Sequence, residues 1–417
     1  MRSGTSGAPT SPMTLSEVPG LLGLSQTVAA LEDEIVAFRR DLHAHPELSH
    51  AETRTTSRVA ARLTAAGVRL RLLDGTGLVA DVGPVDPAYR VALRADLDAL
   101  PLTERTGLPF ASKYEGVCHA CGHDVHVAAV LGAGLALHEH ADLLVAQGVG
   151  VRLIFQPAEE VTPGGSLGVI AQGGIEGVDA IYSLHCDPSL DVGRVGLRDG
   201  PMTAATDSVT ITLQGRGGHT SRPHLTQDLI YALGKVVTDV PAVLSRRVDP
   251  RSGVALVWGT IHSGSAENVI PSVGTVNGTL RMLDAQVWRD IGPLLEEVVE
   301  AVVRPYGVSS TLAHVPGAPP VVNDPESVAR LRAAAVLMLG PQAPTPTAQS
   351  LGGEDFAWYL EGLPGAMARL GTRTSGGDTH DLHQGDLVVD ERAVAMGARL
   401  LAGAALTPRS DGRNGSR

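Results

Sequence analysis

The sequence predicts an α/β protein with a mostly parallel sheet, into which a smaller α+β unit of ferredoxin-like order is inserted. Three observations lead there. "GVRLIFQP" (150–157) and "DAIYSLHC" (179–186) are apolar runs of strand length without alternation, as suits strands covered on both faces of a parallel sheet. "DSVTITLQG" (207–215) alternates strictly, with Val209, Ile211 and Leu213 on one face and Thr210, Thr212 and Gln214 on the other, the pattern of a half-exposed antiparallel strand. The segment that follows orders as strand, helix, strand, strand, helix, strand.

The elements follow in order. Residues 1–24 are rich in Gly, Ser, Thr and Pro and are expected to be a disordered leader. "TVAALEDEIVAFRRDLHAHPE" (27–47) places Leu31, Ile35, Phe38 and Leu42 on one helical stripe. "TTSRVAARLTAAG" (55–67) reads as a second helix closed by Gly67. "GLVADVG" and "YRVALRA" read as strands, and "HVAAVLGAGLALHEHADLL" (126–144) as a helix. In the insert, a helix is expected over 225–245. Strands follow at "GVALVWGTIH" and "GTVNGTLRM", then a long helix from "AQVWRD" onward and a short strand near 309–314. The parallel α/β unit resumes near 318, with "PQAPTPTAQ" (341–349) as a Pro-rich loop. The expected division is therefore 25–199 plus 316–406 for the main unit, 200–315 for the insert, and a disordered tail at 407–417.

Composition narrows the function. The 417 residues carry a formal net charge of −12 with no long basic run, which argues against nucleic acid or an anionic membrane as partner. No uninterrupted apolar stretch reaches the roughly 18 residues of a membrane span, and the N-terminus lacks the apolar core of a signal peptide. Three cysteines in a chain of this length do not make a disulfide framework, so a reducing, cytoplasmic compartment is expected.

Metal-ligating residue types cluster at four places. "HACGHDVH" (119–126) holds Cys121 and His123. "FQPAEE" ends in Glu159 and Glu160, "SLHCD" holds His185, and "THDLHQGD" holds His380 and His383. Two of these clusters follow predicted strands, and ligands in open α/β sheets collect outside the carboxyl ends of strands. Each has an ordinary reading too. Cys118 with Cys121 spells C-x-x-C, but no second C-x-x-C exists to complete a zinc ribbon. Adjacent glutamates are commonly a solvated pair, and a lone histidine at a strand end is commonly a hydrogen-bonded core residue. His126, His138 and His140 fall along a helix as supporting or surface groups, and Cys186, next to His185 on a strand, points the other way as a packed thiol.

Taken together, "RRDLHAHPELSHAE", "LRADLDALPLTERTGLPFAS", "HACGHDVH", "FQPAEE", "GRGGHTSRPH", "NVIPS", "SLGGEDFAWYL" and "LHQGD" resemble the aminoacylase/carboxypeptidase family of metallopeptidases, in its amidohydrolase branch of hippurate, N-acyl-amino-acid and indoleacetyl-amino-acid hydrolases. The resemblance runs from about residue 30 to 400 in family order. It implies a zinc-exopeptidase-like catalytic domain and a lid and dimerisation domain over 200–315. It implies two divalent metal ions per subunit, zinc or else manganese, cobalt or nickel, held by Cys121, His123, Glu160, His185 and His383. Glu159 becomes the general base, and His219 an oxyanion donor that reaches a neighbouring active site. Asn268, Arg281, His224 and Gly353 fall at substrate-binding positions, and Asp96, Asp98 and Asp124 stand behind the ligands. Gly353, Gln384 and Gly385 depart from the branch's usual residues and put the acyl-group preference in question.

The implied activity is hydrolysis of a small-molecule N-acyl amino acid to a carboxylic acid and a free amino acid by a homodimer or higher homo-oligomer, without nucleic acid or membrane. Three rival readings are a dipeptidase or carboxypeptidase of the same family, a cysteine amidase using Cys121 as nucleophile, and a catalytically silent metal-binding protein. The cysteine reading leaves Glu160 and His383 without a role.

Overall fold

The computed structural model describes residues 20–407. In chain order the elements are α1 (Leu21–Ala30), α2 (Glu32–His43), α3 (Thr53–Ala65), β1 (Arg69–Leu72), β2 (Leu78–Val82), β3 (Tyr89–Asp96), α4 (His123–Glu139), α5 (Ala141–Gln147), β4 (Val149–Gln156), α6 (Ser166–Ala171) and β5 (Ala180–Asp191). Then come β6 (Val195–Leu197), β7 (Gly200–Pro201), β8 (Ala205–Gln214), β9 (Gly218–His219), α7 (Leu229–Arg247), β10 (Ala255–Ser263), β11 (Val269–Ile270), β12 (Val273–Met282), α8 (Ala285–Val303) and β13 (Ser309–Val315). The chain closes with β14 (Val322–Asn323), α9 (Pro325–Leu339), β15 (Pro344–Pro346), α10 (Ala357–Leu360), β16 (Gly365–Arg373) and α11 (Arg392–Leu406).

Eight strands form the main sheet in the order β1-β2-β4-β3-β5-β16-β6-β15. Its central block β4-β3-β5-β16 is parallel throughout. Antiparallel pairing enters on both flanks, between β1 and β2, β2 and β4, and β16 and β6, so the sheet is mixed rather than uniformly parallel. Helices cover both faces. α1, α2, α4, α9 and α11 bury one aliphatic core on one side, and α6 and α10 cover the other with Val169, Phe356 and Tyr359. α4 is apolar nearly all round, as a helix enclosed on every side must be.

A second sheet, β10-β12-β8-β13, is antiparallel throughout. One face buries Val209, Ile211 and Leu213 against α7 and α8. β8, α7, β10, β12, α8 and β13 follow one another in the expected strand–helix–strand–strand–helix–strand order.

Several local expectations change. The stretch 27–47 is two helices, broken at Leu31. The first of them starts at Leu21, inside the span read as leader, because Leu21, Leu24 and Val28 form a fully buried stripe; residues 1–19 and 408–417 lie outside the described residues. The helix expected from 126 already begins at His123 and breaks at His140. "PQAPTPTAQ" contributes β15, a parallel edge strand on β6; an edge tolerates its two prolines because the outward N–H needs no ladder partner. Among the described residues, no single helix is long and apolar enough to cross a membrane.

Candidate metal centre and active site

The site assembles at the carboxyl ends of the central parallel strands. Asp96 ends β3 and Asp98 follows it, Gln156 ends β4 ahead of Glu159 and Glu160, and His185 lies on β5. Gly122, at φ 84°, turns the chain between Cys121 and the first residue of α4. A side chain there would be strained by that angle and would meet Cys186 Sγ at 2.7 Å. Of the three described non-glycine residues with positive φ, two lie at the site, Ala158 next to Glu159 and His383 itself one of the donors. Both are held by backbone bonds: Ala158 N–H donates to Glu52 Oε1 (2.7 Å) and His383 N–H to the Ala120 carbonyl (2.7 Å). Sparse backbone conformations of this kind persist where the surroundings over-determine them.

The sequence-distant donors converge. Cys121 Sγ lies 3.6 Å from His185 Nε2. Glu160 Oε1 lies 3.7 Å from His123 Nε2 and 3.2 Å from His383 Nε2. Three overlapping groups, Cys121–His123–His185, Cys121–Glu160–His383 and His123–Glu159–Glu160, each place one donor atom per residue within 4.8 Å of the others. His123 Nε2 and Glu160 Oε1 are buried and make no hydrogen bond. Buried polar atoms without partners are rare unless a ligand or function accounts for them. A thiol, three imidazoles and a carboxylate together suit a borderline divalent cation such as zinc.

Behind the donors, the carboxylates take distinct jobs. Asp98 reaches His123 Nδ1 twice, through its carbonyl oxygen (2.9 Å) and Oδ1 (3.3 Å), and its Oδ2 accepts the Glu160 N–H (2.9 Å). One residue thereby orients the ring of one candidate ligand and the backbone of another. Asp96 holds His126 Nδ1 (2.6 Å), whose Nε2 accepts the Cys186 N–H (2.9 Å). Both nitrogens of His126 are therefore spoken for, and it is a strut beside His185. Asp124 does something else: it pairs with Arg39 Nε (2.5 Å) and His43 Nδ1 (2.9 Å) and touches none of the five donors. Consecutive helix residues point about 100° apart, so with His123 facing the cleft Asp124 faces α2 and pins the start of α4.

Sequence reasoning passed over a third tier. Arg94 is fully enclosed and grips Asp96 Oδ2 (2.6 Å), Asp355 Oδ1 (2.7 Å) and Glu354 Oε1 (3.2 Å). Gln156 accepts from Arg94 and from the Tyr359 hydroxyl and donates to Asp355. Glu354, Asp355 and Glu159 place carboxylate oxygens within 4.8 Å of one another. Burial, then the neighbouring Glu354 and Glu160, push the Glu159 carboxyl well above the ordinary range. The signal for it in the sequence is the acidic pair Glu354 and Asp355, next to Gly353 in "GGEDF".

A cavity of about 510 Å³ opens over these groups, and Arg281, Thr206 and Gly353 line its far side. Arg281 donates to Thr206 Oγ1 (3.2 Å) and to the Leu351 carbonyl. A Cβ on Gly353 would come within 2.9 Å of that Thr206 oxygen.

This arrangement is shared with known proteins. The sequence profile of peptidase family M20/M25/M40 matches residues 92–407, well over half the chain. The chain belongs to that family. A relative described as an N-acetyl-L-cysteine deacetylase, from Bacillus subtilis (strain 168), is 38% identical over 390 residues, which are 93% of this chain and 90% of the relative. A Rhodococcus jostii (strain RHA1) protein whose description names glutamate–cysteine ligase 2-3 is 48% identical over 371 residues. Those residues are 89% of this M20 chain but only 46% of the Rhodococcus protein, so the chain spans about half the length of that relative. A Bacillus subtilis structure described as a dinuclear metal binding peptidase of the M20 family superposes with a TM-score of 0.79 at 32% identity, covering 91% of this chain and 98% of that one. The family resemblance read from the motifs is borne out, and with it the mixed α/β fold and an enzyme that hydrolyses amides with the help of metal.

Not every residue expected in the M20 site lies in this chain's own cavity. His219 is exposed on β9, where its Nδ1 accepts the Ser221 N–H (3.1 Å). β9 pairs with β11 just beyond Asn268, and His224 is exposed in the turn after it. The reason is strand length. Thr206 lies in the cavity at the start of β8, whereas β9 follows its far end at Gln214, roughly 27 Å away at ~3.4 Å per residue. Gly385 also serves another purpose than pocket shape: a Cβ there would meet the Thr103 carbonyl at 2.2 Å.

Proposed function

We propose that this M20 chain hydrolyses the amide bond of N-acyl amino acids. The observation that carries the reading is the position of Glu159, beside His123 and Glu160 on one side and Glu354 and Asp355 on the other. A carboxyl with its proton affinity raised by burial and like charge is suited to accept and return a proton near neutral pH. Cys121, His123, Glu160, His185 and His383 would hold two divalent cations, zinc or a similar metal; the description of the Bacillus relative as dinuclear metal binding supports a two-metal site. Those cations, when bound, supply the Lewis acidity that makes water nucleophilic near pH 7 and polarises the amide carbonyl.

Glu159 then takes the proton from water and delivers it to the departing amine. Asp98 keeps His123 and Glu160 in place during that exchange. Arg281 offers its free guanidinium edge to the substrate's α-carboxylate, a pairing favoured by its fork of donors. His219, at the far end of β8 from its own cavity, is assigned to the neighbouring subunit of a homodimer, where an oxyanion donor is worth about 2.7–4 kcal/mol. β10, the edge strand of the small sheet, leaves Val257 and Ile261 exposed, and this supports pairing of two copies at that edge. The deacetylase relative supports a small acyl group.

The test is direct. Purified protein is analysed for metal and screened against N-acetyl, N-benzoyl and indoleacetyl amino acids, beside Glu159→Gln. The variant keeps its metal and loses turnover by about 10²–10⁴-fold. Near-normal turnover in Glu159→Gln removes the base assignment, and activity that survives exhaustive chelation removes the metal.

A further inference from the structure

Four arginines are buried among the described residues: Arg39, Arg94, Arg330 and Arg369. Three have partners of evident purpose, Arg39 on Asp124, Arg94 on Asp96 and Asp355, and Arg330 on the Tyr89 hydroxyl. Arg369 differs. It is only 9% exposed, yet it makes no hydrogen bond or ion pair with any described residue. None of its nitrogens is among the fully enclosed polar atoms without a partner, so the guanidinium opens onto the cavities that it lines and is available to a ligand there.

Its place is specific. Arg369 sits on β16 directly opposite His185 of β5 in the parallel register, so the two side chains rise from the same face of the sheet. On its other side β6 presents Gly196, whose missing Cβ would lie 3.0 Å from the Arg369 Cβ. Arg369 lines the cavity above Cys121 and Glu159, and also an adjoining open cavity of about 720 Å³. It stands at the junction of the two. The cavity acids form no ion pair with it: no Asp or Glu oxygen of the described residues comes within 4.0 Å of its guanidinium. Arg281 is partly committed to Thr206 and Leu351 across the same cavity.

We propose that Arg369 is a specificity-determining residue that binds a second carboxylate of the substrate, so that the preferred substrates are N-acyl amino acids carrying one beyond the α-carboxylate. The inference rests on the amide-hydrolase reading of the site. The second carboxylate has two chemical sources, an acidic amino-acid side chain or a dicarboxylic acyl group, and both offer the two oxygens that a guanidinium fork takes.

The experiment uses the metal-loaded full chain and compares matched pairs: N-acetylglutamate with N-acetylglutamine, and N-succinylalanine with N-butanoylalanine. The expected result is a preference for the acidic member of at least one pair, expressed mainly in KM; the pair that shows it identifies the source. In Arg369→Met that preference falls by about tenfold or more, the worth of one charge-assisted contact, and Arg369→Lys recovers part of it. Calorimetry with succinate as probe reads binding without turnover, and it weakens in Arg369→Met by a similar factor. Equal loss on both members of each pair in Arg369→Met, or no acidic preference in the parent enzyme, overturns the inference. If the parent hydrolyses none of the four compounds, the amide-hydrolase reading fails for these substrates, and succinate binding that does not depend on Arg369 then overturns this inference separately. Metal content and melting temperature accompany each variant. A melting temperature of Arg369→Met at or above the parent's fits an unpartnered cation, whereas a large drop shows a structural partner and overturns the inference.

Discussion

Arg94 and Asp355, 261 residues apart in the chain, meet in a 2.7 Å ion pair that is closed to solvent. The contact ties the end of β3, which carries Asp96 and leads to Asp98, to the loop that carries Glu354 beside Glu159. It joins the first half of the catalytic sheet to the segment returning after the inserted unit.

Removing the cation leaves Asp96, Glu354 and Asp355 buried together without the charge that they share. Breaking a buried pair from one side typically costs about 3–5 kcal/mol. Arg94→Met is therefore expected to lower the urea midpoint by that equivalent, or to abolish folding. Asp355→Asn is expected to be milder, because an amide oxygen in the Oδ2 position still accepts from both Gln156 and the Ser166 N–H. Equilibrium unfolding of the two variants side by side checks the order; Arg94→Met as stable as the parent would remove the hub.

Asp98 offers a cleaner test of the donor geometry. Its carboxylate holds the Nδ1 side of His123 and the amide of Glu160 without being one of the five donors. Groups in this position usually contribute 10–100-fold to metal affinity. Asp98→Ala is expected to bind zinc more weakly by that factor in a chelator competition, while its fold is retained by circular dichroism. An unchanged affinity would show that the contact of His123 with the Asp98 backbone carbonyl suffices alone.

The loop that delivers Cys121 is anchored by Glu104, and this anchor is sensitive to acid. Burial alone would raise the Glu104 carboxyl, but hydrogen bonds from His43, Thr106 and the Ser112 N–H bring it from 4.5 down to about 2. A carboxyl lowered on folding stabilises fully above its unfolded value and loses that contribution as pH falls through the folded one. The window here runs from about pH 5 to about pH 2, with a contribution on the order of 1–3 kcal/mol. His43 shifts the other way: burial opposes its proton, yet Asp124 and Glu104 outweigh that and raise it from 6.5. Its contribution is complete below 6.5 and is lost as pH rises through the folded value. Urea unfolding of the parent and Glu104→Gln should show a gap at pH 7 that narrows toward about pH 3. A gap of constant size would sink the assignment.

Much of the site was legible in the residues alone. Cys121, His123, Glu160, His185 and His383 stand out because thiols, imidazoles and paired carboxylates at strand ends are costly to place without a purpose, and the motif order ties them to one family. The alternation in "DSVTITLQG" marked β8 and the inserted sheet for the same kind of reason, since side-chain periodicity is a local property. What local pattern could not carry was partnership across distance. Asp124 and Asp98 look alike in sequence, but helix rotation sends one to Arg39 and the other, from its place beyond β3, to His123. Arg94, Glu354 and Asp355 read as ordinary charges until the sheet order brings β3 beside the loop before β16. His219 and Asn268 look like site residues, yet the length of β8 carries them away from their own cavity. Arg369 reads as one polar residue in an apolar strand, and only the structure, with His185 and Gly196 beside it, shows a cation with no partner among the described residues. Sequence determines which chemistry a chain can offer, because that resides in the residue types and their local spacing. Tertiary structure decides which groups meet, because burial and pairing depend on neighbours that the chain order does not name.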